Sequence, residues 1–133
     1  MPATRKQTAA RWVLALFFVA AGINHFLTPD LYLAMMPAWL PLEDAANLIS
    51  GAAEIAGGIG LLLPAVRRPA AWGLIALLVA VFPANLHVAL QGHMTGLDAP
   101  AWVLWLRLPL QAVFIAWVAW SGLDCGKAAP PAA

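Results

Sequence analysis

"AAWGLIALLVAVFPANLHVALQ", residues 70–91, is the stretch that decides the fold, because it is long, apolar and free of charged residues. A helix that crosses a membrane needs about 20 predominantly apolar residues, which this stretch supplies. It nevertheless carries Pro83, Asn85 and His87 close together. Polar groups inside an apolar helix are costly in lipid and usually face other helices or a wet cavity.

The composition of the whole chain points the same way. Of its 133 residues, 63% are hydrophobic and only 10% are charged, and the mean hydropathy is +0.82. A soluble domain carries about 25% charged residues, so this chain cannot cover itself with polar surface. We therefore interpret it as an integral membrane protein, and a single domain is expected at this length.

Four apolar stretches predict four membrane-spanning helices, at residues 12–26, 45–63, 70–91 and 101–121. Helices are the spanning form that these lengths allow, since each backbone N–H must find its partner inside its own segment. The predicted fold is all-α, an up-down-up-down four-helix bundle within residues 1–124. Residues 125–133 are predicted to be a disordered cytoplasmic tail.

The basic residues orient the bundle, because Lys and Arg near helix ends are retained on the cytoplasmic side. In this topology Arg107 lies inside a helix, and the remaining six basic residues fall on one side: Arg5, Lys6, Arg11, Arg67, Arg68 and Lys127. Both termini are therefore expected in the cytoplasm, with the protein in the bacterial inner membrane. Residues 30–41, apolar but broken by proline, are expected to form an interfacial segment over the outer half.

Polar side chains inside the predicted helices share one layer. At about 1.5 Å of rise per residue, His25, Asn85 and Arg107 come to similar heights in the outer half of the bundle. Glu54 and Gln111 lie about one turn deeper. Because such groups avoid lipid, we expect them to form a common ligand-binding site.

Two details of this site follow from charge and periodicity. Glu54 and Arg107 are expected to form an ion pair, since either charge left alone in the membrane would be expensive. Pro83 is expected to kink the third long helix. On a straight helix Asn85 and His87 point in nearly opposite directions, and periodicity alone favours His87, so both remain candidates.

Several kinds of chemistry are excluded or disfavoured. The single cysteine, Cys125, cannot form a dithiol redox site or a cysteine cluster for iron–sulfur or zinc, and no metal site is predicted. Basic residues are too few for nucleic-acid binding. A b-type haem between His25 and His87 is an alternative that the absence of a Soret band would dismiss.

Four segments resemble the DoxX and DoxX-like family of small four-helix membrane proteins: "AGINHFLTPDLYLAMMPAWLP", "ISGAAEIAGGIGLLLP", "RRPAAWGLIALLVAVFPANLHVAL" and "RLPLQ". The resemblance runs over residues 12–120. It implies that the motif positions of that family are His25, Pro29, Pro37, Pro41, Glu54, Gly57, Gly58, Pro83, Asn85, Arg107 and Gln111. It thereby favours Asn85 over His87. Where that family has a named activity, it is as a membrane subunit of archaeal thiosulfate:quinone oxidoreductase, and its redox-maturation relatives use cysteine pairs that are absent here.

Two main functions follow as hypotheses. The first is a site for a quinone or another small molecule in a membrane redox system, with quinone as the candidate cofactor and an oxidoreductase subunit as the role. The second is a non-catalytic accessory or assembly protein whose polar residues, including Asn47, Ser50 and Gln111, only join helices. Solute transport would require an oligomer. The expected partners are the lipid bilayer and a protein subunit or a second copy of the chain.

Overall fold

The computed structural model describes residues 4–36, 38–93 and 98–123, and over this part the chain is entirely helical or irregular. The helices are α1 (Arg5–Leu27), α2 (Pro29–Leu33), α3 (Glu43–Leu62), α4 (Arg67–Gln91) and α5 (Ala101–Gly122). The predicted all-α class is confirmed. Pro37, Cys125 and the predicted tail lie outside the described residues.

Four of these helices, α1, α3, α4 and α5, are long and apolar enough to cross a membrane by length and composition. Many of their large apolar side chains are exposed, and Leu16 and Leu90 are each 68% exposed. Water would oppose so much exposed apolar surface, whereas lipid accepts it. The lengths and composition of these helices are therefore those of a multi-pass membrane protein.

Three helices begin earlier than the apolar pattern predicts, and α3 does so by only two residues, at Glu43. Helix α1 begins at Arg5 rather than at residue 12, because Thr4 and Gln7 form a reciprocal capping box that stabilises a polar first turn. Helix α4 begins at Arg67 rather than at residue 70. Pro69 lies in its first turn, where a missing N–H costs nothing, so it does not separate the helix from the preceding loop as the sequence pattern suggests.

The four long helices form a ring in the order α1, α3, α4, α5, so α3 and α5 face each other diagonally. The α1–α3 interface is the most extensive, and glycines bring its two backbones together. A Cβ added to Gly22 would lie 2.6 Å from the carbonyl oxygen of Gly51, and one added to Gly58 would lie 3.0 Å from that of Ala15. Small residues of this kind are how helices approach closely in membranes.

Most of the buried apolar side chains that the structure describes form two separate clusters. The first joins α1, α3, α4 and α5 and consists of Leu14, Phe18, Leu61, Ala71, Leu74 and Val118. The second lies under the segment that follows α1 and consists of Met35, Val88, Ala89 and Leu104. The predicted interfacial segment contributes Met35 and the short helix α2 to this second cluster, while Trp39 in the same segment is 72% exposed.

Basic and amide side chains cap the carboxyl end of α5. Gln7 donates to one carbonyl there at 3.1 Å, the Nε of Arg11 to a second at 2.7 Å and the Nη1 of Arg68 to a third at 2.9 Å. The acceptors are the carbonyls of Trp120, Ser121 and Leu123. Cations at this end complement the helix dipole and satisfy carbonyls that have no partner within the helix.

Candidate functional site

A cavity of about 320 Å³ lies between the two apolar clusters. Phe18, Leu78 and Phe114 line it on the side of the first cluster, and Tyr32 and Met35 line it on the side of the second. Its polar lining comes from every long helix: His25, Ser50, Glu54, Asn85, Arg107 and Gln111. The structure therefore brings five of the six predicted site residues around one space.

His87 is the predicted residue that does not line this cavity. Asn85 does, and its Nδ2 donates to the Oε1 of Gln111 at 2.8 Å. The preference for His87 from periodicity alone is wrong for this cavity, because helix α4 turns the face of Leu78, Val81 and Asn85 toward it. That face carries fewer small residues, but it is the one opposite the polar side chains of α1 and α5.

Helix α4 continues through Pro83, and α5 binds the backbone of α4 five residues before that proline. The Nε2 of Gln111 donates to the backbone carbonyl of Leu78. Gln111 thus holds α4 twice, through the side chain of Asn85 and through the backbone. These two bonds fix the position of α4 relative to α5 at the level of the cavity.

His25 and Glu54 form an ion-pair contact in the cavity, with His25 Nε2 lying 3.2 Å from Glu54 Oε2. Both side chains are largely buried, at 9% and 16% exposure. The contact is within ion-pair distance but lacks hydrogen-bond geometry, and Glu54 Oε2 has no hydrogen-bond partner among the described residues. Helices α1 and α3 run antiparallel, and the two residues flank the close backbone contact of Gly22 with Gly51 from opposite sides: His25 is one turn beyond Gly22, and Glu54 is one turn beyond Gly51. Their side chains meet because the glycines bring the two backbones close together.

The predicted pairing of Glu54 with Arg107 is therefore wrong: among the described residues Glu54 pairs with His25. The reason is the order of the helices. Helices α3 and α5 are diagonal in the ring, so an α3–α5 pair must reach across the cavity, whereas α1 and α3 are in direct backbone contact. Arg107 still lines the same cavity, and its Nη2 lies 3.9 Å from the sulfur of Met35.

Asn47 holds the other side of the histidine ring. Its Oδ1 lies 2.7 Å from His25 Nδ1, and its Nδ2 donates to the backbone carbonyl of His25 at 3.1 Å. Asn47 is only 2% exposed. The sequence predicts it only as a residue joining helices, although its position two turns before Glu54 on the same face of α3 is a signal that the two act on one partner.

Tyr32 covers the histidine from the short helix α2. The two rings stack with centroids 3.7 Å apart and an angle of 18° between their planes. Asn24 donates to the Tyr32 hydroxyl at 2.8 Å, which ties α2 back to α1. Tyr32 belongs to residues 30–41, the predicted interfacial segment, and nothing in the spacing between α1 and α2 shows that the tyrosine ring stacks on His25.

The arrangement around His25 does not suit a haem ligand. Both ring nitrogens face side chains of α3, and His87 does not line the cavity. Among the residues that the structure describes, no three His, Cys, Asp or Glu side chains are placed to hold a metal ion. The chemistry that the cavity offers is hydrogen bonding and proton exchange, surrounded by apolar and aromatic side chains.

The cavity reaches the surface of the bundle between α1 and α5. Phe17 on α1 and Leu110 on α5 both line it, and they are 47% and 44% exposed. Phe17 stacks on Phe114 of α5, with ring centroids 4.8 Å apart and 20° between the rings. The α1–α5 interface is the least extensive of the four in the ring, so this is the side where the cavity is least enclosed.

The chain matches one family profile in the comparison with known proteins. The sequence profile of a family described as "Domain of unknown function (DUF8561)" matches residues 14–122, which include the larger part of α1, the whole of α2 to α5 and every residue that lines the cavity. No curated protein and no solved structure matches the chain. Since the profile covers well over half of the chain, this protein belongs to the family of domains of unknown function DUF8561.

Proposed function

We propose that the protein is an up-down-up-down bundle of the bacterial inner membrane with both termini in the cytoplasm. The glycine contacts support this topology: along α1, Ala15 lies against Gly58 and Gly22 against Gly51, so the numbering on α3 falls as that on α1 rises. Arg11 and Arg68 both bind the carboxyl end of α5. Basic residues thus gather at one end of the bundle, as the cytoplasmic side of a membrane protein requires.

The function that the site supports best is binding of a small amphiphilic molecule from the membrane, with quinones as the leading class. The observation that carries this proposal is the cavity itself, where His25, Glu54 and Arg107 share one space with aromatic and apolar side chains. A quinone head group accepts hydrogen bonds at its carbonyl oxygens, which arginine and a protonated histidine donate. Its tail requires apolar contacts.

The size and the opening of the cavity fit such a ligand. At about 320 Å³ the cavity is at the lower end of the range of about 300–1,000 Å³ for small-molecule sites, enough for a ring and the first part of a tail. The rest of the tail would leave between Phe17 and Leu110, where the cavity is open toward the surface that faces lipid. The resemblance to DoxX-like proteins supports a role as a subunit of a membrane redox system.

Two measurements test this function. Purified protein should carry a quinone or a comparable lipophilic molecule in stoichiometric amount, identified by mass spectrometry of its extract. A short-chain ubiquinone analogue should bind wild-type protein, and Glu54→Gln should abolish binding while the protein stays folded in detergent. Glu43→Gln is the matched control, since it makes the same change on the same helix away from the cavity. Binding that survives Glu54→Gln would refute the assignment of the site.

A second function is favoured by a different observation, the internal hydrogen bonds of the polar layer. The contacts of His25 with Asn47 and of Asn85 with Gln111 each join neighbouring helices, which is what a bundle needs for rigidity alone. In that case the protein is an accessory or assembly factor. Co-purification would then find a constant protein partner or a homo-oligomer, and extracts would contain no stoichiometric small molecule.

A further inference from the structure

The orientation of the Asn47 amide fixes which ring nitrogen of His25 carries hydrogen. Asn47 Nδ2 donates to the backbone carbonyl of His25, so its Oδ1 is the atom that faces His25 Nδ1 at 2.7 Å. An amide oxygen only accepts hydrogen bonds, and the ring nitrogen must therefore donate. The reverse orientation would place two oxygens against each other at 3.1 Å. His25 is thus an Nδ1–H histidine.

This tautomer leaves His25 Nε2 without a hydrogen when the ring is neutral. That nitrogen lies 3.2 Å from Glu54 Oε2, which is buried and has no hydrogen-bond partner among the described residues. A nitrogen lone pair facing a carboxylate oxygen in a buried site is repulsive and leaves an uncompensated charge. The contact becomes favourable when one proton lies between the two atoms, on His25 as an imidazolium or on Glu54 as a carboxylic acid.

We propose that His25 and Glu54 together hold one proton and form the proton carrier of the cavity, with Asn47 as the positioning residue that fixes the histidine tautomer. The proposal rests on the proposed function, and it narrows the ligand to a head group with a basic oxygen, such as the anionic oxygen of a quinone that an electron-donating partner protein has reduced. The transfer step moves a proton and no electrons: the bond between the proton and the pair breaks, its electrons remain on the pair, and a lone pair of the ligand oxygen forms the new O–H bond.

The surroundings suit a pair that changes its charge. After transfer, the pair consists of neutral His25 and ionised Glu54, with a net charge of −1. The ionisable groups that face it are Tyr32 of α2, stacked on the imidazole, and Arg107 of α5, which lines the same cavity. Helix α4 contributes the uncharged Asn85. A guanidinium in the cavity favours the negative state and so assists release of the proton.

The cavity also gives the ligand access to the pair. Both His25 and Glu54 line it. Glu54 Oε2 is fully buried against the histidine, so the 16% exposure of the Glu54 side chain belongs to its other atoms. A head group in the cavity therefore meets Glu54 at atoms other than Oε2, and in this proposal the second carboxyl oxygen, Oε1, is the atom that passes the proton to the ligand.

The proton can be counted by ¹⁵N NMR of histidine-labelled protein in nanodiscs. The chain has three histidines, and the double variant His87→Gln/His93→Gln leaves His25 as the sole labelled ring. Neither replaced residue lines the cavity. At neutral pH we expect a protonated Nδ1, together with either a protonated Nε2 or an infrared carbonyl band from a protonated carboxyl group. Adding Glu54→Gln should remove one proton, seen as an unprotonated Nε2 or as loss of that band.

Asn47→Leu tests the positioning role separately. It removes the acceptor at Nδ1, so we expect the fixed Nδ1–H signal to be replaced by a mixture of tautomers, a change that a merely structural residue would not produce. An unprotonated Nδ1 in the parent protein, or a proton count that Glu54→Gln leaves unchanged, would overturn the proposal.

The ligand step has its own readout. Adding the short-chain ubiquinone analogue should shift the Nε2 resonance or the carboxyl band, and binding without either shift would overturn proton delivery by this pair. If the analogue does not bind at all, the proposed function and the delivery step both fail, while the proton measured on the pair without ligand stands. The two failures are therefore distinguishable.

Discussion

Gly22→Ala tests whether the close approach of α1 and α3 is what holds His25 against Glu54. The added Cβ would lie 2.6 Å from the carbonyl oxygen of Gly51 and 3.0 Å from the backbone N of Ile55. These are backbone atoms, so no side-chain rotation can relieve the clash. The helices must move apart. His25 and Glu54 each lie one turn from this contact on the facing surfaces of the two helices, on opposite sides of it.

The size of the effect follows from these distances. Carbon–oxygen contacts of this type are normally about 3.3–3.6 Å long, so α1 and α3 must separate by roughly 0.7–1.0 Å at Gly22. The His25–Glu54 distance of 3.2 Å would then grow to about 4 Å, too long for the two groups to share a proton. Overpacking of this kind costs about 1–3 kcal/mol of unfolding free energy.

Gly73→Ala is the matched control, because a Cβ at Gly73 on α4 meets nothing within 4 Å. Both substitutions gain the same helix propensity, about 1 kcal/mol, so the difference between them isolates the packing term. Reversible unfolding in mixed detergent and SDS micelles, followed by tryptophan fluorescence, should find Gly22→Ala less stable than Gly73→Ala by about 1–3 kcal/mol. Its His25 ¹⁵N spectrum should also lose the signature of the shared proton.

The reasoning is refuted if Gly22→Ala unfolds at the same SDS fraction as Gly73→Ala and keeps the His25 spectrum of the parent protein. Such a result would mean that α3 accommodates the methyl group without moving, and that the pair does not depend on the glycine contact.

Two further changes test other parts of the bundle. Gln111→Leu removes the hydrogen bonds to Asn85 and to the Leu78 carbonyl. It should lower the unfolding free energy by about 0.6–2 kcal/mol per bond, and an unchanged SDS midpoint would contradict the role of Gln111 in joining α4 to α5. Arg11→Met removes the 2.7 Å bond to the Ser121 carbonyl, and should cost about 1.5–3 kcal/mol in the same assay. The Nη2 of Arg11 is buried and has no hydrogen-bond partner among the described residues. A gain in stability would instead show that the free energy of burying the guanidinium exceeds the stabilisation from its hydrogen bond.

The sequence predicts this fold best for properties that depend only on position along a single helix. The lengths and hydrophobicity of four stretches predict four helices, and all four carboxyl ends fall within one residue of those predicted, at Leu27, Leu62, Gln91 and Gly122. The prediction is less accurate at the amino ends of α1 and α4. The capping box at Thr4 extends α1 into polar sequence, and a proline is accommodated in the first turn of α4. A prediction from the number of apolar residues detects neither feature.

The sequence by itself determined that polar groups would meet at one level, because height along a helix follows from residue number and hydrocarbon excludes these groups from lipid. Only the tertiary structure decided which groups are partners. The ring order makes α1 the neighbour of α3 and sets α5 diagonal to it, so Glu54 meets His25 rather than Arg107. The rotation of α4 likewise selects Asn85 over His87. Neighbours and rotations are set by packing between helices, and no single helix carries that information in its own spacing.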